Sequence, residues 1–181
     1  MFSRHSGMLN SPRHALAQVA GFASLAAILW LSACGGADGD NTGLSAAERV
    51  QSESQYSVLD EALVASDLRA TLSGTGPFTL FAPTDAAFAL LLGELGLTKA
   101  QLHGNLPLLT TVLRHHVVSG RALQADIAVG QAVTTLQGQT LSGVADLFIT
   151  DQRTRRSAIA GTDLFTSNGV IHTLARVLLP T

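Results

Sequence analysis

Two adjacent histidines, His115 and His116, form the part of this sequence that most resembles a metal-binding or catalytic site. Imidazoles bind transition metals and exchange protons near neutral pH, so a neighbouring pair raises both possibilities. Adjacent side chains diverge by about 100° around a helix and lie on opposite faces of a strand. The pair is therefore poorly placed to chelate one ion.

The helical pattern before the pair assigns different positions to the two rings. Leu109, Val112 and Leu113 recur at helical spacing. Continuing this helix places His116 within the apolar stripe and His115 at its edge. We predict that His116 is a buried framework residue whose ring nitrogens bond to neighbouring groups, because a buried polar ring without partners is costly.

His172, in a later apolar segment, is also predicted to be a framework residue. It could approach His116 in space, and an acid such as Asp85 could complete a metal site. However, the sequence contains neither a His-x-x-x-His pair nor a cysteine usable for such a site. We therefore predict no metal site.

Other catalytic motifs are also missing from the sequence. There is no Gly-x-Ser-x-Gly elbow for a serine hydrolase, and no glycine-rich loop precedes a helix to hold phosphate. We expect no catalytic residues, no cofactor and no enzymatic activity.

Arg153, Arg155 and Arg156 form a basic cluster in a chain whose formal net charge is −2. The cluster is either a solvated hairpin loop or a contact for acidic polysaccharide, phosphate or lipid headgroups. The overall charge gives no electrostatic reason to expect a nucleic-acid partner.

The N-terminus has the pattern of an export signal. Arg4 and Arg13 precede an apolar run at residues 15–31, and small residues follow it. The run is marginal as a permanent membrane span. Leu31 to Cys34, with the sequence LSAC, resembles the lipobox of bacterial lipoproteins, which implies cleavage before Cys34 and acylation of its thiol.

These features divide the chain into a lipoprotein signal at 1–33, a lipidated cysteine with a flexible tether at 34–50, and a folded domain at 51–181. The tether is rich in Gly, Asp and Asn. We expect an exported, membrane-anchored protein, held at the outer membrane or otherwise facing the periplasm or cell surface of a Gram-negative bacterium. Cys34 is the only cysteine, so the domain cannot contain an intramolecular disulfide.

Helical patterns dominate the first half of the domain and short strand patterns the second, which indicates an α+β fold. Thr84 is expected to cap a helix, and Asp85 to place a negative charge in its first turn. Asn168 and Gly169 form a strong tight-turn signal before the last strand.

Three segments, in this order, resemble the blocks of the fasciclin domain. They are FTLFAPTDAAFALL at 78–91, LRHHVVSGRALQADI at 113–127 and SNGVIHTLARVLLP at 167–180. The resemblance implies a β-wedge of about seven strands packed against a layer of helices. It also implies a module for adhesion or interaction, with a protein or polysaccharide partner.

The resemblance also makes His115 a candidate contact. The family usually has Tyr-His at this point, and the neighbourhood of that pair is implicated in adhesion by animal members. This chain has His115 in place of the tyrosine. An alternative function is binding of an apolar small molecule in a groove of the domain, because a few fasciclin-like proteins bind carotenoids.

Overall fold

The structure is a computed structural model that describes residues 43–127 and 129–181. The signal at 1–33, Cys34 and most of the expected tether lie outside the described residues. Export, cleavage and acylation therefore stay predictions.

The described residues form six α-helices, most of them in the first half of the domain. They are α1 (Ala46–Ser52), α2 (Ser57–Ala65), α3 (Leu68–Leu72), α4 (Asp85–Leu95), α5 (Lys99–Gly104) and α6 (Leu106–His115). The sequence pattern predicts one helix where α2 and α3 lie. The helix is interrupted because Asp67 adopts a left-handed conformation with φ of 59°.

Helix α1 shows that the fold begins before residue 51, the predicted start of the domain. Ser45 and Glu48 form a reciprocal capping box at its N-terminus. Ala46, Ala47 and Val50 are buried in the core. The segment at 45–50, expected to belong to the tether, is therefore part of the domain.

Seven strands of the described chain form one sheet with the order β2-β1-β7-β6-β5-β4-β3. They are β1 (Phe78–Pro83), β2 (Val117–Ser119), β3 (Ala132–Thr134), β4 (Thr140–Val144), β5 (Phe148–Thr150), β6 (Arg156–Thr166) and β7 (Gly169–Leu174). Among the strand pairs of the described residues, β1 with β7 is the one parallel pair. A bridge between Val118 and Thr135 joins the two edges, so the sheet nearly closes on itself.

The sheet separates two apolar clusters. Alternate residues of a strand point to opposite faces, so Leu80 packs under the helices and Phe81 lies inside the wedge. In β7, Ile171 likewise faces the helices and Leu174 the interior. The predicted α+β class, with about seven strands forming a wedge against a helical layer, is confirmed.

Candidate functional site

His116 closes the end of α6 and bonds to two backbone groups inside the wedge. Only 1% of the residue is exposed. Its Nδ1 lies 2.8 Å from the Val112 carbonyl oxygen, and its Nε2 lies 3.1 Å from the Leu178 amide nitrogen. A carbonyl only accepts and an amide only donates, so the ring is neutral with its proton on Nδ1.

His172 also bonds to two backbone groups, but here Nε2 is the donor and Nδ1 is the acceptor. The residue is fully buried, and its ring stacks on Phe81 with centroids 5.4 Å apart. Its Nε2 donates to the Ala122 carbonyl at 2.8 Å, and its Nδ1 accepts from the Asp163 amide at 3.3 Å. Both rings therefore hold pieces of backbone together.

Burial opposes the charged form of both rings. It lowers the pKa of His116 to about 4, although the bond to the Val112 carbonyl acts in the opposite direction. Burial also lowers the pKa of His172, against the effects of the Ala122 carbonyl and the Asp163 charge. The predicted framework role requires neutral rings in which both nitrogens are hydrogen-bonded, and both rings have this arrangement.

His115 does not lie where a partner could contact it. The residue is fully buried, so the structure differs from the expectation of a surface contact. Burial lowers the pKa of its imidazole, while the Asp151 charge and the Gln137 side chain act in the opposite direction. Within the described residues neither ring nitrogen makes a well-aligned hydrogen bond, and the Gln137 carboxamide oxygen is also unpaired. The His115 and His116 rings are nearly perpendicular, with an interplanar angle of 86°.

Asp151 organises the loop between β5 and β6, a role that the sequence patterns do not identify. The residue is only 5% exposed. Its Oδ1 accepts from the amides of Arg153 and Arg155, and its Oδ2 accepts from the Leu179 amide, each at 2.9 Å. The carboxylate thus ties the arginine loop to the C-terminal segment. An aspartate opening a polar stretch is typical of such loops, but the partner at Leu179 depends on the tertiary fold.

The three arginines have different surroundings and do not act as one cluster. Arg155 pairs with Glu94 at 2.6 Å, and Arg176 pairs with the same carboxylate at 3.1 Å. The bond to Arg155 holds the pKa of Glu94 below its usual value. Arg156 lies over the Phe148 ring, with its guanidinium carbon 4.6 Å from the centroid. Arg153 is exposed.

Thr84 and Asp85 connect α4 to its surroundings. The Thr84 hydroxyl accepts from the Ala87 amide at 3.3 Å, as a helix cap does. Asp85 accepts from the Val58 amide at 2.9 Å and from the Ser57 hydroxyl at 2.5 Å. One carboxylate therefore joins the first turns of α2 and α4.

Asn168 does more than form a turn. Its Oδ1 accepts from the Ala46 amide at 2.8 Å, and its Nδ2 donates to the carbonyls of Leu72 at 2.7 Å and Gly74 at 2.8 Å. The next residue, Gly169, has no room for a side chain, because a Cβ would lie 2.0 Å from the Phe78 carbonyl oxygen. This corner fixes the point where the N-terminal chain enters the domain.

An apolar groove of about 140 Å³ lies between helices α4, α5 and α6 and the C-terminal segment. Its lining is Leu91, Leu95, Leu102, Leu108, Val112, Arg153, Leu179 and Pro180. These residues come from distant parts of the chain, so no local pattern in the sequence indicates the groove.

Among residues 43–127 and 129–181, no three His, Cys, Asp or Glu side chains are grouped closely enough to hold a metal ion. None of the helices in this part of the chain combines the length and apolar composition needed to span a membrane.

Together, the fold and the bonded histidines define a class of protein: a compact α+β domain whose imidazoles serve its framework. The fasciclin domain model matches residues 54–180, most of the chain, and the protein therefore belongs to the fasciclin domain family.

Relatives occur in bacteria and in animals. The uncharacterized protein sll1735 of Synechocystis is 34% identical over 128 residues, which are 71% of this chain and 92% of that protein. Synechocystis protein sll1483 is 37% identical over 127 residues, covering 69% of this chain and 67% of that protein. Pig transforming growth factor-beta-induced protein ig-h3 is 31% identical over 132 residues, 72% of this chain but only 18% of ig-h3.

A solved FAS1 domain pair from the insect cell adhesion molecule fasciclin I has the same fold. The TM-score is 0.64 at 15% identity, over 76% of this chain and 51% of the pair. At that identity the likeness establishes the fold alone.

Proposed function

We propose that this protein is a non-catalytic adhesion or interaction module of the bacterial envelope, anchored through acyl chains on Cys34. The supporting observation is the order of its parts. A signal-like segment and the LSAC motif precede a short polar segment, and a fasciclin domain follows from residue 54. Membership of the fasciclin domain family, with the adhesion or interaction role that the resemblance implies, supports a module of this kind.

The proposed mechanism is presentation of the domain near a surface. Acyl chains confine the domain, and confinement raises its effective concentration against neighbouring partners. Weak individual contacts are then sufficient. The partner is a protein or polysaccharide of the periplasm or cell surface.

The strand register places the arginine loop at the opposite end of the sheet from Ala46, near the start of the described residues. The N-terminal chain enters beside Asn168, whose neighbour Gly169 pairs with Thr166 at the far end of β6. The start of β6, at Arg156, is near the other end of β7. In an anchored domain, Arg153 and Arg156 would therefore lie away from the attachment point, and a partner could reach them.

Mass spectrometry and fractionation of the wild-type chain and a Cys34→Ala variant test the anchor. We expect an acylated, membrane-bound wild type that begins at Cys34, and a variant found in the soluble fraction. A freely diffusing wild type with an unmodified thiol would contradict the proposal. Because the substitution lies outside the domain, thermal unfolding of the two proteins should be the same, and this serves as the control.

Retention on immobilised anionic glycans tests the arginine contacts separately. A variant with Ala at Arg153, Arg155 and Arg156 should elute at lower salt than the wild type, because fewer phosphates or carboxylates are paired. The matched control is Arg114→Ala, which removes one exposed charge on α6. Unchanged retention of the triple variant would remove these residues from the proposed contact.

A second candidate function is binding of an apolar small molecule. The groove between α4, α5 and α6 favours this function, but its 140 Å³ is well below the roughly 300–1,000 Å³ of pockets for drug-sized ligands. A carotenoid does not fit inside it. Expression in a carotenoid-producing host tests the alternative, and pigment that co-purifies in a fixed ratio would support it over a ligand of the size of the groove.

A further inference from the structure

The groove between α4, α5, α6 and the C-terminal segment combines an apolar floor with one charged side chain. Leu91 and Leu102 are each 1% exposed and form part of the floor, whereas Leu95 is 42% exposed and lies at the opening. Of the described residues that line the groove, Arg153 is the one that carries a charge, and none is acidic.

Among the described residues, the acids near Arg153 already have other partners. Nearby Glu94 is shared by Arg155 and Arg176. Asp151 uses its oxygens to accept three backbone amides. Within the part of the chain that the structure describes, Arg153 takes part in none of the ion pairs. Its guanidinium is therefore available to an anion at the groove.

Two walls of the groove are held in place by the same buried carboxylate. Asp151 bonds to the amide of Arg153 through one oxygen and to the amide of Leu179 through the other. The backbones of Arg153 and Leu179 therefore keep a fixed spacing. This part of the groove wall is preorganised, which reduces the entropy cost of binding.

We propose that this groove is a binding site for a small aliphatic carboxylate, with the hydrocarbon chain on the leucines and the carboxylate on Arg153. The size supports this chemistry, because an engineered protein cavity of about 150 Å³ binds benzene, which has six carbons. Arginine presents two parallel N–H groups that match a carboxylate. A ligand with a body of about six carbons satisfies both parts of the site.

The site goes beyond the proposed anchoring and adhesion and does not depend on either. A chain that lacks acylation can still bind the carboxylate, and a chain that fails to bind it can still be anchored. The two proposals can therefore fail separately.

Titration of the full chain with hexanoate, followed by carbon-13 NMR of labelled leucine methyl groups, tests the proposal. We expect saturable shifts at Leu95, Leu102 and Leu108, with a dissociation constant of about 1 mM or lower. Hexanol, which has the same chain without the charge, should bind about tenfold more weakly because the guanidinium loses its charged partner.

Three variants make the test specific. Arg153→Gln should weaken hexanoate binding about tenfold and leave hexanol binding unchanged. Arg156→Gln, which removes an exposed charge over Phe148, is the matched control and should bind as the wild type does. Leu95→Trp should block the opening, and its 42% exposure makes unfolding unexpected.

Several results would overturn the proposal. Equal affinity for hexanoate and hexanol would show that Arg153 makes no contact with the carboxylate. Equal loss of binding in Arg153→Gln and Arg156→Gln would indicate a diffuse charge effect. Shifts outside the groove, shifts that do not saturate, or full binding by folded Leu95→Trp would place the ligand elsewhere.

Discussion

Two polar side chains at opposite ends of the wedge perform the same structural task by different chemistry. Asn168 joins the N-terminal chain and the end of α3 through three backbone bonds. Asp151 joins the arginine loop and the C-terminal segment, also through three backbone bonds. The amide both donates and accepts, whereas the carboxylate only accepts.

The surroundings of the two residues differ in their response to pH. Asn168 bonds to backbone groups beside two tightly packed glycines, Gly76 and Gly169. Asp151 lies near His115 and His116, and the segment that it holds at Leu179 is also held at Leu178 by His116. The comparison indicates that the Asn168 corner is a rigid support, while the Asp151 end is sensitive to protonation.

Substitution of Gly169 by Ala should produce the largest loss of stability. The added Cβ would lie 2.0 Å from the Phe78 carbonyl oxygen, in the parallel pairing of β1 with β7. We expect a loss of about 3 kcal/mol or more in the free energy of unfolding, measured by urea denaturation. Gly93→Ala is the control, because apart from the local backbone of helix α4 no described atom lies within 4 Å of the added Cβ. Its helical position should give a gain of up to about 1 kcal/mol.

A fall in pH should loosen the C-terminal segment at the Asp151 end of the wedge before it loosens the N-terminal chain at the Asn168 end. The folded pKa of His116 is about 4, below the ordinary 6.5, so the unfolded chain binds more protons between these values. The contribution of neutral His116 to the free energy of unfolding is therefore fully present above pH 6.5 and is lost as the pH falls towards 4. His116 alone should cost about 3 kcal/mol over that interval, and the lowered pKa values of His115 and His172 act in the same direction.

Amide exchange measured across this pH range distinguishes the two ends. Protonation of His116 removes the acceptor for the Leu178 amide, so the protection factor of this amide, corrected for the intrinsic exchange rate at each pH, should fall first. The Ala46 amide, held by Asn168, should change only with global unfolding. An equal fall of the protection factors of both amides would refute the contrast, as would a free energy of unfolding that is constant between pH 6.5 and 4.

Local patterns were sufficient to predict the α+β class and the turn at Asn168, whereas the seven-strand wedge and its helical layer were implied by the resemblance to the fasciclin domain. Helix α1 was missed although Ser45 and Glu48 carry the capping-box spacing. His115 was placed at an edge by extending the helical period. Its burial instead depends on the fold, in which α6 ends at His115 and the β3–β4 turn brings Gln137 close.

The roles of Asp151 and Arg153 could not be read from the sequence for the same reason. Both depend on Leu179, which is distant in the chain and reaches the loop only after the sheet has formed. The sequence does not distinguish the three arginines. Their surroundings differ because the partners, Glu94 for Arg155 and Phe148 for Arg156, come from other parts of the fold.

Isosteric exchanges of the two polar residues should have similar, intermediate effects. Asn168→Asp loses the donated bonds to Leu72 and Gly74 and brings a carboxylate oxygen against their carbonyls. Asp151→Asn keeps the loop bonds when its oxygen faces them but turns an amino group towards the Leu179 amide. We expect the free energy of unfolding, measured by urea denaturation, to fall by about 2–3 kcal/mol in Asn168→Asp and by about 2 kcal/mol in Asp151→Asn.

The double variant tests whether the two ends are independent. Distant sites without shared partners have additive effects, so the combined loss should equal the sum within about 0.5 kcal/mol. A larger deviation would mean that the two ends are coupled through the sheet. The Ala46 and Leu179 amides, followed by hydrogen exchange, report which end each single exchange loosens.

The smallest changes in the free energy of unfolding are expected at the arginines of the loop held by Asp151. Here the two variants separate a residue that contributes to stability from one that is available for binding. Arg156→Gln loses the contact with the Phe148 ring and should cost about 0.5 kcal/mol. Arg153→Gln removes an exposed charge outside the ion pairs of the described chain, and the free energy of unfolding should be unchanged within error. Urea denaturation of both variants checks this. A side chain that is available to bind a ligand contributes little to the stability of the ligand-free protein. A loss of 1 kcal/mol or more in Arg153→Gln would therefore mean that the guanidinium stabilises the loop instead.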